Sequence, residues 1–251
     1  KMASPKAKLL YSTLTFPSPP YKRAEIINRK AIQWLKSNTD NFFLWLHYMD
    51  AHPPYLPQKK CLPEHISRSK AKKITRKMIQ NREKITDEEL ELLIDLYDSG
   101  IRYVDHEIAF FLNELKKMNL YDSTYIIVTA DHGEEFREHG KIGHGLPRQK
   151  PYEELIHVPL IIRGPGLQKG LIINHCVSLL DIPPTILDLL DIPRETEFQG
   201  KSLLPLIRGE KRTEGVISES YVLGTKGKII SYRTSEWKFI MDKNNEEYEL
   251  Y

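Results

Sequence analysis

Tyr125-Ile126-Ile127-Val128-Thr129-Ala130-Asp131-His132-Gly133-Glu134 is the stretch that decides the fold. An apolar run, 124–130, reads as a buried strand and passes directly into two metal-ligand residue types and a glycine. In an open α/β sheet, chemistry collects at the carboxyl edge of the strands. On a regular strand Asp131 and His132 would point to opposite faces. Gly133 frees the backbone to turn both toward one point, where a carboxylate beside an imidazole suits a divalent cation. The competing reading is an acidic turn that caps a helix at Glu134-Glu135.

Outward from this strand, helical and extended patterns alternate. Ile26, Ile27, Ala31, Trp34 and Leu35 recur at helical spacing over 24–36. The run Phe42-Phe43-Leu44-Trp45-Leu46-His47-Tyr48-Met49 is apolar on both faces, as expected of a central parallel strand with His47 hydrogen-bonded in the core. Thr86-Asp87-Glu88-Glu89 offers a capping box. A long amphipathic helix follows through Leu90, Leu93, Tyr97, Ile101, Val104, Ile108, Phe111 and Leu115, with a kink expected at Ser99-Gly100. Asp98, Arg102 and Asp105 read as its solvated stripe. Strands at 158–163 and 176–180 precede a helix opened by Pro183. Short strands at 216–219, 228–233 and 237–241 then suggest a small antiparallel subdomain. The alternation up to residue 190 predicts α/β architecture: a mostly parallel sheet flanked by helices. The expected domains are 1–212, with a basic insertion at 59–84, and 213–251.

Composition narrows the classes. With 40% hydrophobic residues among 251, the chain can build a core. It contains no run of 18 apolar residues, so no membrane span is expected in this segment. Two cysteines, Cys61 and Cys176, make no disulfide framework. Residues 59–84 hold ten Lys/Arg against Glu64 and Glu83, a net +8, so the remainder of this +3 chain carries −5. Such a patch could gather anionic substrates or serve only as a solvated helical insertion. It lacks interleaved aromatics to stack bases, so nucleic-acid binding is not expected.

Four motifs stand in order: Leu46-His47-Tyr48-Met49-Asp50-Ala51-His52-Pro53-Pro54-Tyr55, Thr129-Ala130-Asp131-His132-Gly133-Glu134, Tyr152-Glu153-Glu154-Leu155-Ile156-His157-Val158-Pro159-Leu160, and Asp181-Ile182-Pro183-Pro184-Thr185. The ordered set resembles the sulfatase family of the alkaline-phosphatase-like superfamily, in the middle and C-terminal part of its catalytic domain. The resemblance implies an alkaline-phosphatase-like fold and metal-dependent hydrolysis of sulfate esters. It also implies two earlier elements not found here: a strand ending in paired acidic metal ligands, and Cys/Ser-x-Pro-x-Arg, whose Cys or Ser becomes the formylglycine nucleophile. The chain therefore reads as a fragment with the N-terminal portion of the domain missing, inactive by itself. Cys61-Leu62-Pro63-Glu64-His65 is a decoy, because His65 stands where the family requires Arg and the motif follows His52.

By the same resemblance, Asp131 and His132 fill the late metal-ligand pair. Ca²⁺ is the family ion, whereas Mn²⁺ or Zn²⁺ suits a nitrogen donor better on softness alone. His52 matches the histidine that contacts the ester and protonates its leaving oxygen, with Pro53-Pro54 stiffening the loop. In Glu138-His139-Gly140-Lys141-Ile142-Gly143-His144-Gly145, His144 falls where many sulfatases place a lysine; imidazole can do that work only when protonated. Arg148 and Lys150 are the alternatives, with Lys141 a surface charge and His139 supporting or exposed. The expected partner is an anionic sulfate- or phosphate-ester substrate. The rival readings are a phosphodiesterase, phosphonate monoester hydrolase or phosphoglycerol transferase of the same superfamily, and a degenerate binding protein.

Overall fold

A computed structural model of the chain describes residues 21–38, 41–146, 149–221, 228–243 and 245–251. The chain divides into two compact units, 1–122 and 123–251.

The first unit is built on three helices, α1 (Ala24–Ser37), α2 (Arg68–Gln80) and α3 (Asp87–Lys117). In α1 the buried positions Ala24, Asn28, Ala31, Ile32 and Leu35 form one stripe at helical spacing. Trp34 sits at its margin, edge-to-face with Phe42 at 6.3 Å between centroids. No side chain of its own caps α1; instead Asp50, buried from a distant loop, accepts the Ala24 N–H at 2.9 Å and pairs with Arg23 at 3.1 Å. A carboxylate there suits the positive end of the helix dipole. Burial nevertheless raises the Asp50 carboxyl above its ordinary range, outweighing the opposing pull of Ala24 and Arg23.

The capping box of α3 forms as its sequence offers: Thr86 Oγ1 accepts from the Glu89 N–H at 3.3 Å, and Glu89 accepts from the Thr86 N–H at 3.0 Å. Leu93, Leu96, Tyr103, Phe111 and Leu115 face inward, while Asp98, Arg102 and Asp105 are exposed. The helix is continuous through Gly100. That glycine lets the backbone of residues 50–51 cross it closely: a Cβ there would lie 2.7 Å from the Asp50 carbonyl oxygen and 3.2 Å from Ala51 Cα. Gly100→Ala should therefore lower stability despite the roughly 1 kcal/mol helix-propensity gain. Overpacking against backbone costs about 1–3 kcal/mol. Thermal denaturation reads the sign, and a raised Tm would show that residues 50–51 yield.

The run 42–49 departs from expectation. It enters no hydrogen-bonded ladder, and its burial alternates, with Phe43 71% and Trp45 77% exposed. His47 lies on the open side, not in the core. Extended backbone sends successive side chains to opposite faces, so an apolar composition does not bury both.

The second unit carries β1 (Ile126–Thr129), β2 (Glu135–Phe136), β3 (Ile142–Gly143), the single turn α4 (Glu153–Ile156) and β4 (Leu160–Arg163). Then follow α5 (Ile182–Leu189), α6 (Leu204–Ile207), β5 (Val216–Tyr221), β6 (Lys228–Arg233), β7 (Lys238–Asp242) and β8 (Glu247–Leu250). The class is α/β, but the expected parallel pairing does not occur among the described residues. β1 pairs antiparallel with β4, Ile126 opposite Arg163 and Thr129 opposite Leu160. A parallel return needs a crossover element of a dozen or more residues, usually a helix. Here the connection is spent on the β2–β3 hairpin and one helical turn. β5 to β8 form an antiparallel meander around buried Ile229 and Ile240, with Tyr152 packed against them.

The strand expected at 176–180 is instead a 3₁₀ turn, Leu179–Asp181, because Ser178 and Asp181 cap each other: the Ser178 N–H donates to Asp181 Oδ2 at 2.8 Å. Among the described residues no helix is long and apolar enough to cross a membrane.

Candidate active site

Residues 130–134 leave the carboxyl end of β1 and are held against α4. The Gly133 and Glu134 N–H groups donate to the carbonyls of Leu155 and Glu154 at 2.8 and 2.9 Å. Gly133 serves here by its missing side chain, not by an unusual turn: a Cβ would lie 1.9 Å from the Glu154 carbonyl oxygen, and its φ is outside the left-handed region. Gly133→Ala must push two backbones apart. We expect a loss of about 1–3 kcal/mol or more in thermal denaturation, as for overpacked sites. An unchanged Tm would show that α4 can retreat freely.

This anchoring places Asp131 and His132 together. His132 Nε2 lies 3.9 Å from Asp131 Oδ1, and the His132 N–H donates to the same oxygen at 3.1 Å. His132 Nδ1 donates to the Gly133 carbonyl at 2.8 Å, which makes Nε2 the acceptor nitrogen of the neutral ring. The Asp131 side chain is 74% exposed, so its carboxylate remains open to a cation from solution.

The β2–β3 hairpin then returns the chain. Glu135 pairs with Gly143, so Glu134 and His144 flank that pair as opposed neighbours. His144 Nδ1 donates to the buried Glu134 carboxylate at 2.9 Å, and its ring lies 4.0 Å from that of His132, tilted by 35°. Behind them Glu135, fully buried, accepts from the Lys141 N–H at 2.8 Å and from Gln149 Nε2 at 2.9 Å. The hairpin is thereby locked onto the loop that follows it. Glu134-Glu135 thus caps no helix: one carboxylate orients His144 and the other fixes the hairpin. Glu134 escaped the sequence reading because its partner is ten residues away. The signal was available in two acids following directly on Asp-His-Gly.

The other candidates fall elsewhere. Lys150 pairs with Glu249 and, at 3.0 Å, with Glu247, both on β8. Burial alone would lower its ammonium, but these carboxylates outweigh that and hold it above the ordinary range. His139 stacks on Tyr152 at 3.4 Å and lies 3.6 Å from Glu154. Arg148 is outside the described residues. In the first unit, His52 Nδ1 donates to the Pro53 carbonyl at 2.7 Å, and its own carbonyl accepts from the Tyr21 hydroxyl at 3.0 Å. Cys61 closes a 3₁₀ turn, Lys59–Cys61, half-buried. Among the described residues no three His, Cys, Asp or Glu side chains converge as a ligand set. Asp131 and His132 offer one oxygen and one nitrogen donor, a chemistry that fits two positions of a divalent cation's ligand set.

Asp131, His132 and His144 thus stand together at the carboxyl end of β1, the first two adjacent in the chain and the third brought in by the hairpin. The chain belongs to the sulfatase family, whose profile matches residues 7–192; that of the N-sulphoglucosamine sulphohydrolase C-terminal domain matches 144–251. Arylsulfatase K of Bos taurus is 31% identical over 166 residues, 62% of this chain and 30% of that protein. Choline-sulfatase of Rhizobium meliloti (strain 1021) is 30% identical over 159 residues, again 62% and 30%. The chain thus spans about 30% of the length of these curated relatives.

Two solved structures bear on the fold. BT4656, in complex with its substrate D-glucosamine-2-N,6-O-disulfate, superposes with a TM-score of 0.68 at 21% identity, covering 91% of this chain and 62% of that one. Phosphonate monoester hydrolase from Silicibacter pomeroyi gives 0.68 at 23%, covering 92% and 54%. These likenesses establish the alkaline-phosphatase-like α/β fold; at such identities they do not establish the reaction.

Proposed function

We propose that this chain carries part of the centre of a divalent-metal-dependent sulfuric ester hydrolase. The carrying observation is that a member of the sulfatase family holds Asp131, His132 and His144 side by side at the carboxyl end of β1. Asp131 and His132 would be two of the cation's ligands. When bound, such a cation withdraws charge from ester oxygens and favours an ionised nucleophile. His144, oriented by Glu134, would contact the anionic ester. His52 would give a proton to the departing oxygen. The nucleophile, a formylglycine by family resemblance, would be supplied by a segment outside these 251 residues.

The names of the relatives favour sulfate: an arylsulfatase and a choline-sulfatase in sequence, and a sulfohydrolase profile over the C-terminal residues. The phosphonate monoester hydrolase neighbour sets the rival. The test offers aryl sulfate and aryl phosphonate monoester with the same leaving group to an active length of the protein. Ca²⁺, Mn²⁺ and a chelator are compared throughout. Faster, chelator-sensitive turnover of the sulfate is expected. Preference for the phosphonate would replace this reading with the rival. Ligand binding with no turnover of either ester would make the protein a binding member of the family.

A further inference from the structure

The basic segment expected as a solvated insertion is a rigid helix with one uncovered cationic face. α2 buries Ala71, Ile74, Thr75 and Met78, and Thr75 Oγ1 donates to the Tyr55 carbonyl at 3.3 Å, so its orientation is fixed. The opposite face, Ser69, Lys72, Lys73, Arg76, Lys77, Gln80 and Asn81, lines an open groove of about 440 Å³. α2 contains no acidic residue. Of the four cations in the groove, Lys77 is paired with Glu89, whereas Lys72, Lys73 and Arg76 form no ion pair among the described residues. Lys72 and Arg76 are four residues apart, as are Lys73 and Lys77. Such like-charge pairs at i and i+4 are destabilising on a helix. That repulsion is relieved when an anion lies along the groove.

We propose that this groove binds a sulfated polysaccharide, holding a polymeric substrate by its repeated charges. The inference rests on the sulfate-ester reading above and names its substrate class. The cations are spread over about 7.5 Å of helix, at ~1.5 Å per residue, so they can meet more than one anionic group of the same chain at once. The groove lining has no aromatic residue on which nucleobases could stack. The apolar stripe of α2 is already buried in its own unit, so it has no face to insert into a lipid surface.

The probe is dextran sulfate, titrated against the 251-residue chain at several salt concentrations. Unsulfated dextran, duplex DNA and phosphatidylserine-containing vesicles are the comparisons. Lys72→Glu/Lys73→Glu/Arg76→Glu should weaken dextran sulfate binding at least tenfold near physiological salt. It should also flatten the salt dependence by about one unit of slope per lost contact. The neutral Lys72→Gln/Lys73→Gln/Arg76→Gln variant, checked by circular dichroism, should lose most of the same affinity if the charge-reversed helix fails to fold. A control reversing exposed Lys22, Lys30 and Lys169 has the same net charge and should bind like the parent. Equal loss in the control would overturn the proposal, as would DNA or vesicle binding as tight as that of dextran sulfate. Binding needs no turnover, so the two readings fail separately. Normal aryl sulfate turnover with unaltered polymer binding by the triple variant removes the groove alone. Groove-dependent binding with a phosphonate preference removes the hydrolase reading alone.

Discussion

Asp181→Ala should destabilise the second unit by about 3–5 kcal/mol, the usual loss when one partner of a buried ion pair is removed. Asp181 is 1% exposed. Its Oδ1 accepts from the Lys201 N–H at 2.7 Å, and its Oδ2 accepts from the Ser178 N–H at 2.8 Å and from Arg212 Nη1 at 2.7 Å. Its own carbonyl accepts from Thr185 Oγ1 at 2.5 Å, and that hydroxyl oxygen in turn accepts from the Leu203 N–H at 2.8 Å. One aspartate therefore ties the start of α5 to the chain before and after α6. Alanine would strand two backbone donors and a guanidinium whose Nε already has no hydrogen-bond partner.

Stabilities of whole domains run to only about 5–15 kcal/mol, so the urea midpoint should fall steeply at constant m. Adding Arg212→Met should recover part of the loss, because part of the penalty is a largely buried guanidinium left facing only Glu214, 3.8 Å from its Nε. A fall below about 1 kcal/mol would mean that water reaches the site and the pair is replaceable. The double variant separates that case from one in which packing around α6 is the true anchor.

Asp181 also marks where sequence reading stops. Its motif is visible, but its partners stand 20 and 31 residues later, and no local period connects them. Features governed by local rules were legible. The stripes of α1 and α3, the Thr86 capping box, β1, and the strands from Val216 to Asp242 all follow from spacing and end signals. The run 42–49 misled because apolar composition does not say whether both faces are covered. β2 and β3 have two residues each, too short for any alternation to register. β8 was missed because Glu-Tyr-Glu-Leu carries no apolar run. Its Glu249 earns its place through Lys150, Tyr152 and Tyr251, the first two about a hundred residues away. Asp131, His132 and His144, which the structure brings together, could be singled out as candidates from residue type and resemblance. Glu134 as the carboxylate orienting His144, and Gly133 as the point of backbone contact, required the hairpin register.

His52→Ala, in a length of chain that turns over sulfate esters, should lower kcat by about 10²–10⁴-fold with a much smaller change in KM, the range for a lost general acid. The structural ground is local. His52 Nδ1 is committed to the Pro53 carbonyl at 2.7 Å, so proton exchange by this ring falls to Nε2. The Tyr21 hydroxyl on the His52 carbonyl and the His52 N–H on Met49 at 3.1 Å hold the backbone that aims it. A general acid matters in proportion to how poor the leaving group is. The deficit should therefore be largest for alkyl sulfates, whose alkoxides need a proton, and should shrink for aryl sulfates with acidic phenols. A residue that merely binds the ester would show an equal loss for both and would express it in KM. Equal losses would thus recast His52 as a substrate contact, and an unchanged kcat on an alkyl sulfate would remove it from the chemistry.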